Sequence, residues 1–246
     1  MEVKRQLWAE AADLARDSTS GVDHDQIGSH SSVKHVHAAV QEKLDECTRK
    51  RWKYIRSDGQ DVVLWDVLTK IMDWVIKFKE VGDVAIQCDA GHAALPWAAI
   101  RFMLQASISS VETFGHMLEG VELSAKMIAI YAEVERTCLK GVSKLKAELA
   151  DALVKMYAGV LAFLFRARRH FGQSSGKRAL KGAFQSYQTS VAPWIERINH
   201  AEKAVLKLVD FVQAEGLFPT TIETGLLAGH KEISLSGFGS RVANLF

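Results

Sequence analysis

Proline is scarce in this sequence: Pro96, Pro193 and Pro219 are the only three in 246 residues. Apolar residues recur at helical rather than strand spacing almost throughout, which points to an all-α protein. Cysteine is as rare. Cys47, Cys88 and Cys138 are widely spaced and odd in number, which excludes a disulfide scaffold and a cysteine-based zinc site and fits a reducing, cytoplasmic compartment. No apolar run approaches the roughly 18 residues of a membrane span. The longest, "AGVLAFLF" at 158–165, reads as a buried helix turn. The opening "MEVKRQLWAEAADLARD" is charged and amphipathic and holds no signal-peptide core. Charge of one sign is also missing. A formal net charge of +2 gives no global field toward nucleic acid, and no specific nucleic acid partner is expected. Neither Gly-x-Ser-x-Gly nor His-Glu-x-x-His occurs.

The helical stripes are what is there. Leu64, Val67, Leu68, Ile71, Val75 and Phe78 trace one face over 61–79, with Gly82 as the expected stop. Leu145, Leu149, Leu153, Met156, Val160 and Leu164 do so over 142–171. Over 193–214 the stripe is Trp194, Ile195, Ile198, Ala201, Val205, Leu208, Val209 and Val212, with Glu196, Arg197, Glu202, Lys203 and Asp210 opposite. Ser190 is the candidate cap of that helix, Pro193 fits its first turn, and Gly216 with Pro219 closes it. A further helix starts at Ser110, with Phe114, Leu118, Val121, Ala125 and Ile128 facing inward. Residues 93–108, "AALPWAAIRFMLQASI", are apolar nearly all round and read as the central, most buried helix. Residues 33–54 read as helical. The polar stretch 17–32 reads as a loop, and 217–246 as a tail or linker in which "KEISLSGF" has strand-like character.

The stretch "HFGQSSGKRALKG" at 170–182 has the flavour of a phosphate-binding loop. A Walker loop needs four residues between its glycines, then Lys and a hydroxyl, and it comes after a strand. Here three residues separate Gly172 from Gly176, Arg178 stands in the hydroxyl position, and the preceding segment is helical. The stretch is a helix-to-helix turn, with Ser174 or Ser175 capping the next helix. Its cations remain: Arg166, Arg168, Arg169, Lys177, Arg178 and Lys181, with His170. A second cluster, "RKRWKYIR" at 49–56, brings Arg49, Lys50, Arg51, Lys53 and Arg56 together with Trp52 and Tyr54. Both are candidate contacts for an anion or acidic lipid, against the plainer reading of a solvated face.

Histidines gather at His24, His30, His35 and His37. On a helix His35 and His37 diverge by about 200°, so they do not share a metal, and no metal site is assigned. In "ETFGHMLEGVE" Glu112, His116, Glu119 and Glu122 fall near one helix face. The spacing departs from the paired Glu-x-x-His of a di-iron bundle, so these read as surface acids. No cofactor and no catalytic residue is assigned.

The segment 81–122 contains "HAALPWA" followed by an arginine: His92, Ala93, Ala94, Leu95, Pro96, Trp97, Ala98 and Arg101. It resembles the N-terminal domain of fungal NACHT-type NTPases, relatives of the NLR immune receptors. "LWAEAADL" is similar to that family's opening Leu-Trp helix, and "MIAIYAEVE" and "VKMYAGVLAFL" fit its aromatic positions. The resemblance spans roughly 5–215. It departs at Asp89, which Ala90 follows where relatives often carry proline, and in the loop 17–32. It implies a module from a three-part receptor whose phosphate-binding loop lies in another domain, with a role in self/non-self recognition or programmed cell death. It implies no catalytic residues. Of the signature, Pro96 would set the start of the central helix and Trp97 anchor the core. His92 would bond locally, and Arg101 needs a carboxylate or a route to water. All four read as structural.

The expectation is an all-α bundle of seven or eight helices over 1–216, with a less regular tail. Its expected role is a non-enzymatic signalling or interaction module with a protein partner or self-association. One alternative is a membrane-acting cell-death bundle that exposes its first helix with Leu7 and Trp8 to an acidic bilayer. The mixed charges of that helix, Lys4 and Arg5 beside Glu2, Glu10 and Asp13, argue against this. The other alternative is a helical enzyme with a central pocket.

Overall fold

The computed structural model describes residues 6–18, 33–56, 59–86, 94–105, 110–140, 143–172 and 191–214. Among them seven helices and one small hairpin follow in order: α1 Leu7–Ser18, α2 Val33–Lys50, β1 Lys53–Ile55, β2 Asp61–Val63, α3 Leu64–Ile86, α4 Leu95–Gln105, α5 Val111–Cys138, α6 Lys144–Gly172 and α7 Ala192–Ala214. The all-α bundle is the observed architecture. The candidate cap Ser190, the closing Gly216 and Pro219, and the tail 217–246 lie outside the described residues.

Local chemistry sets the helix starts. Ser110 is extended (φ −142°, ψ 121°), and its hydroxyl accepts the Thr113 N–H at 3.3 Å. That satisfies one of the orphan donors at the start of α5. Pro96 lies in the first turn of α4, where its missing N–H costs nothing. The inward face read for α3 is buried in full, from Leu64 to Phe78.

Four expectations change. The helix α3 continues through Gly82 to Ile86. A single glycine costs about 1 kcal/mol, too little to stop a helix whose apolar face is already buried. The helix over 33–54 ends at Lys50. Arg51 enters the left-handed region at φ 44°, which terminates α2, and β1 begins two residues later. Residues 61–63 are the strand β2, antiparallel to β1, with Lys53 opposite Val63, Tyr54 opposite Val62 and Ile55 opposite Asp61. Finally, the central helix is α5, not α4. In α5, 19 of 28 residues are buried, against six of 11 in α4, where Phe102 reaches the surface. The difference is one of neighbours. The helix α5 packs against α3, α6, α7 and the hairpin, whereas α4 lies between α2 and α6.

The remaining layers are arranged around α6. It carries α1 on one side and α7 on another, and "AGVLAFLF" is buried inside it apart from half-buried Gly159. Leu7 and Trp8 of α1 are in the core, and the Trp8 ring stacks on Tyr157 at 4.0 Å and 15°. Two glycines of α5 permit close approach. A Cβ at Gly115 would land in the Tyr54 ring, and one at Gly120 in the Phe163 ring.

Candidate functional site

The helices α6 and α7 cross antiparallel. Arg166 meets Trp194 near one end, and Gly159 meets Ile198 further along. Beyond these contacts the pair opens into a surface groove of about 600 Å³. Glu148, Asp151, Ala152 and Lys155 line it from α6, at the spacing of one helix face. Arg197, His200, Ala201, Ala204 and Leu208 line it from α7. The floor is apolar and small. The rim is charged with both signs, and Glu148, Asp151, Lys155, Arg197 and His200 are all exposed. Arg197, in the lining, lies over the Trp194 ring at 4.4 Å, and Arg166 lies over the same ring at 4.6 Å, away from the groove toward the end of α6. Such stacking holds a long side chain in place without hiding its charge.

Inside the bundle, ionisable groups are joined to one another. Beneath the hairpin, Arg56 turns inward and is 24% exposed. Its Nε is 3.5 Å from Glu119 and its terminal nitrogen 3.7 Å from Glu122. His116 stands 3.4 Å from Glu112 and 3.8 Å from Glu119, with the Tyr54 ring edge-on at 5.6 Å. The surface-acid reading is therefore corrected for Glu119 and His116, which are buried on the face of α5 that the hairpin covers. Burial raises the Glu122 carboxyl, and Glu119 adds to this against the cations Lys70, Arg56 and Lys126. Burial raises the Tyr54 phenol as well, again with Glu119 beside it.

A second buried set joins α5, α6 and α7. The Tyr131 hydroxyl donates to Glu202 at 3.3 Å, and both residues are buried. Glu202 is thus not on the polar face of α7 assigned to it by its helical position; the Tyr131 hydroxyl gives it a partner inside. The Tyr157 phenol is raised by burial and then by nearby Glu135 and Tyr131.

The basic clusters divide. On α6, Arg166 leans to Trp194 of α7, and Arg168 lies over Phe102 of α4 at 5.0 Å. Two residues apart on a helix, they point about 200° from one another. Arg169, the next residue along, is exposed. On the other cluster Arg49, Lys50, Arg51 and Lys53 are exposed, while Arg56 and Tyr54 turn inward. Lys50 pairs with Glu46 at 3.8 Å and stacks on Trp52 at 4.5 Å. Lys177, Arg178, Lys181 and His92 lie outside the described residues. Of the signature residues, Pro96 and Trp97 are buried, and Trp97 packs on Phe78 at 4.8 Å. The Trp97 indole N–H finds no acceptor among the described residues. Arg101 is half-buried.

The sequence pattern placed Ala201 and Leu208 on the apolar stripe of α7 and Arg197 on its polar face, but did not bring them together with α6 as a groove. The available signal was the stripe Glu148, Asp151, Lys155, which resembles any solvated helix face until α7 is laid beside it. His35 and His37 are both exposed on α2, on either side of buried Val36. Among the described residues no helix is long and apolar enough to cross a membrane.

Residues 66–215 match the family described as "Domain of unknown function (DUF7708)". The match runs from the first turn of α3 past the end of α7, so it takes in both helices of the groove and both glutamates that hold Arg56. The helices α1 and α2 and the hairpin lie before it. No curated protein and no solved structure matches the chain.

Proposed function

The chain belongs to the DUF7708 family, and we propose that it works as a non-enzymatic interaction module, of the kind found at the N-terminus of fungal NLR-like receptors. It engages a protein partner through the groove between α6 and α7. The observation that carries this reading is the groove's make-up: half-buried apolar residues Ala152, Ala201 and Leu208, with exposed Ala204, among exposed acids and bases. Protein interfaces have this anatomy, an apolar centre inside a polar rim. Small residues in the lining suit an approaching helix, and Arg197, stacked on Trp194, supplies a cation held in position there.

The two alternatives draw less support. A bilayer-piercing bundle requires α1 to leave, yet Leu7 and Trp8 are packed in the core and Trp8 stacks on Tyr157. A central-pocket enzyme needs convergent polar groups around a cavity. Arg56 and Tyr131 instead face their glutamate partners inside the bundle, and the groove is on the surface.

In the receptor context that the signature implies, clustering is the trigger. The test is the full chain fused to an inducible dimerisation tag in fungal cells, scored for viability. Clustering the wild type reduces viability, and Lys155→Glu with Arg197→Glu abolishes the response at equal protein level. No response from the wild type, or an unchanged response from the variant, overturns the proposal.

A further inference from the structure

The helix α7 carries two apolar seams. One, from Ile195 to Val212, lies in the core. The other runs along the groove through Ala201, Ala204 and Leu208, and Phe211 continues it at the same spacing of three and four residues. Phe211 is 51% exposed, with the Lys207 ammonium 6.0 Å over its ring. The small residues make up one half of this outer seam and the large ones the other.

That order is self-complementary. A second α7 laid antiparallel, with a two-fold axis level with Leu206, sets Leu208 on Ala204 of the second copy and Phe211 on Ala201 of the second copy. The same axis brings exposed Lys203 to Asp210 of the second copy. The helix α6 supplies an independent test of the axis. Ile198 meets Gly159, and the two helices are antiparallel. Leu206, eight residues on from Ile198, therefore stands abreast of Asp151, eight residues back from Gly159. An axis at Asp151 brings Glu148 to Lys155 of the second copy, and Lys155 to Glu148.

The face as a whole is close to neutral. Its exposed acids are Glu148, Asp151, Glu196 and Asp210. Its exposed bases are Lys144, Lys155, Arg197, Lys203 and Lys207, with His200 beside them. No excess of one sign selects an anionic or a cationic partner; the order of the charges selects a copy of the same face. Glu148 also reaches Lys144 at 4.0 Å, but the two side chains are 51% and 93% exposed, so that pair exchanges freely. Asp151 and Lys207 stand nearest the axis and face their own copies, which weakens the contact.

We propose that the partner seated on the groove is a second copy of this chain, packed α7 on α7 and α6 on α6 about this axis. The proposal rests on the groove being the binding face and names its occupant. From Arg197 to Phe211 the face is about 20 Å long, and two packed helices make it about 20 Å wide. About 400 Å² per copy is below the standard interface, so the dimer is weak and forms when copies are brought together.

The experiment is sedimentation velocity on the full chain from low micromolar to near-millimolar concentration. Wild type shifts from monomer toward dimer as concentration rises. Lys155→Glu and Glu148→Lys each set like charges opposite one another at both symmetry-related pairs and lower association about tenfold. Combining the two substitutions in one chain restores it, and the two single variants, mixed, pair with one another as wild type pairs with itself. Phe211→Ala lowers association about tenfold as well. All three positions are exposed, so the fold tolerates the changes, and unchanged circular dichroism verifies it. Wild type that stays monomeric throughout overturns self-pairing; a groove-dependent response to clustering in cells would then leave the groove with a foreign partner. Association that all three single variants leave unchanged runs through another face and overturns the proposal, as does a charge-swapped double variant that stays as weak as the singles.

Discussion

Arg56 is the residue on which the attachment of the hairpin to α5 is expected to depend. Its guanidinium lies between Glu119, whose side chain is 3% exposed, and Glu122, at 19%. Arg56→Met keeps most of the volume and removes the charge. Two carboxylates then share a poorly hydrated site with no guanidinium between them. Breaking a buried ion pair costs about 3–5 kcal/mol. Arg56 is a quarter exposed and its contacts are 3.5 and 3.7 Å, so the lower end applies, about 2–3 kcal/mol after solvent screening. With a urea slope near 3 kcal/mol per M, the midpoint falls by about 0.8 M. The partner test is Arg56→Met with Glu119→Gln. Removing both charges leaves less uncompensated charge, so the double variant recovers at least half of the loss. Tryptophan fluorescence and far-ultraviolet circular dichroism, read on the same samples, establish that one transition is being compared. A single variant within about 0.5 kcal/mol of wild type, or a double variant that loses the sum of the two singles, refutes the reasoning.

The two glycine contexts predict opposite signs. Gly120→Ala drives a methyl into the Phe163 ring and destabilises by about 2–3 kcal/mol; in Gly159→Ala the new methyl finds Ile198 at 3.4 Å, and the helix gains up to about 1 kcal/mol. Equal urea midpoints for the two variants would contradict this. The Cys47 and Cys138 thiols are buried and pushed up to about 11 by that burial; in a Cys88→Ser background they react with a thiol reagent at pH 8 only as fast as the bundle opens. Prompt labelling of the native protein refutes it. Burial holds the Glu122 carboxyl above its ordinary value in the folded protein. Its ionised form therefore costs stability at neutral pH, and the cost is relieved as pH falls through the folded value toward the unfolded one. From neutral to weakly acid pH, wild type gains stability relative to Glu122→Gln, and identical pH slopes would sink the idea.

The long elements were legible because each repeats its signal over many turns. The stripe from Leu64 to Phe78 and the helix start at Ser110 are local features, and both are in place as the sequence pattern indicates. The hairpin was missed because strands of three residues leave no period to detect. Its one local sign was the turn-forming "SDGQ" between "KYI" and "DVV", with Gly59 at φ 83°. The inward turn of Arg56 depends on strand alternation, which the helical reading of 33–54 concealed. Glu119 and Glu202 were misplaced for a related reason. Helical position says which face a carboxylate is on, but not that an arginine or tyrosine from a distant segment will meet it there. The groove exists only once α6 and α7 are packed, so no single helix announces it.

The proposed groove contact requires a bundle that acts while closed. Hydrogen exchange of α1, followed in the full chain before and after induced clustering, tests this most directly. The amides from Glu10 to the end of α1 are predicted to stay protected, because their helical hydrogen bonds hold while Leu7 and Trp8 remain packed and Trp8 remains on Tyr157. Loss of protection in α1 on clustering, with α6 still protected, would contradict a closed bundle and make α1 the effector.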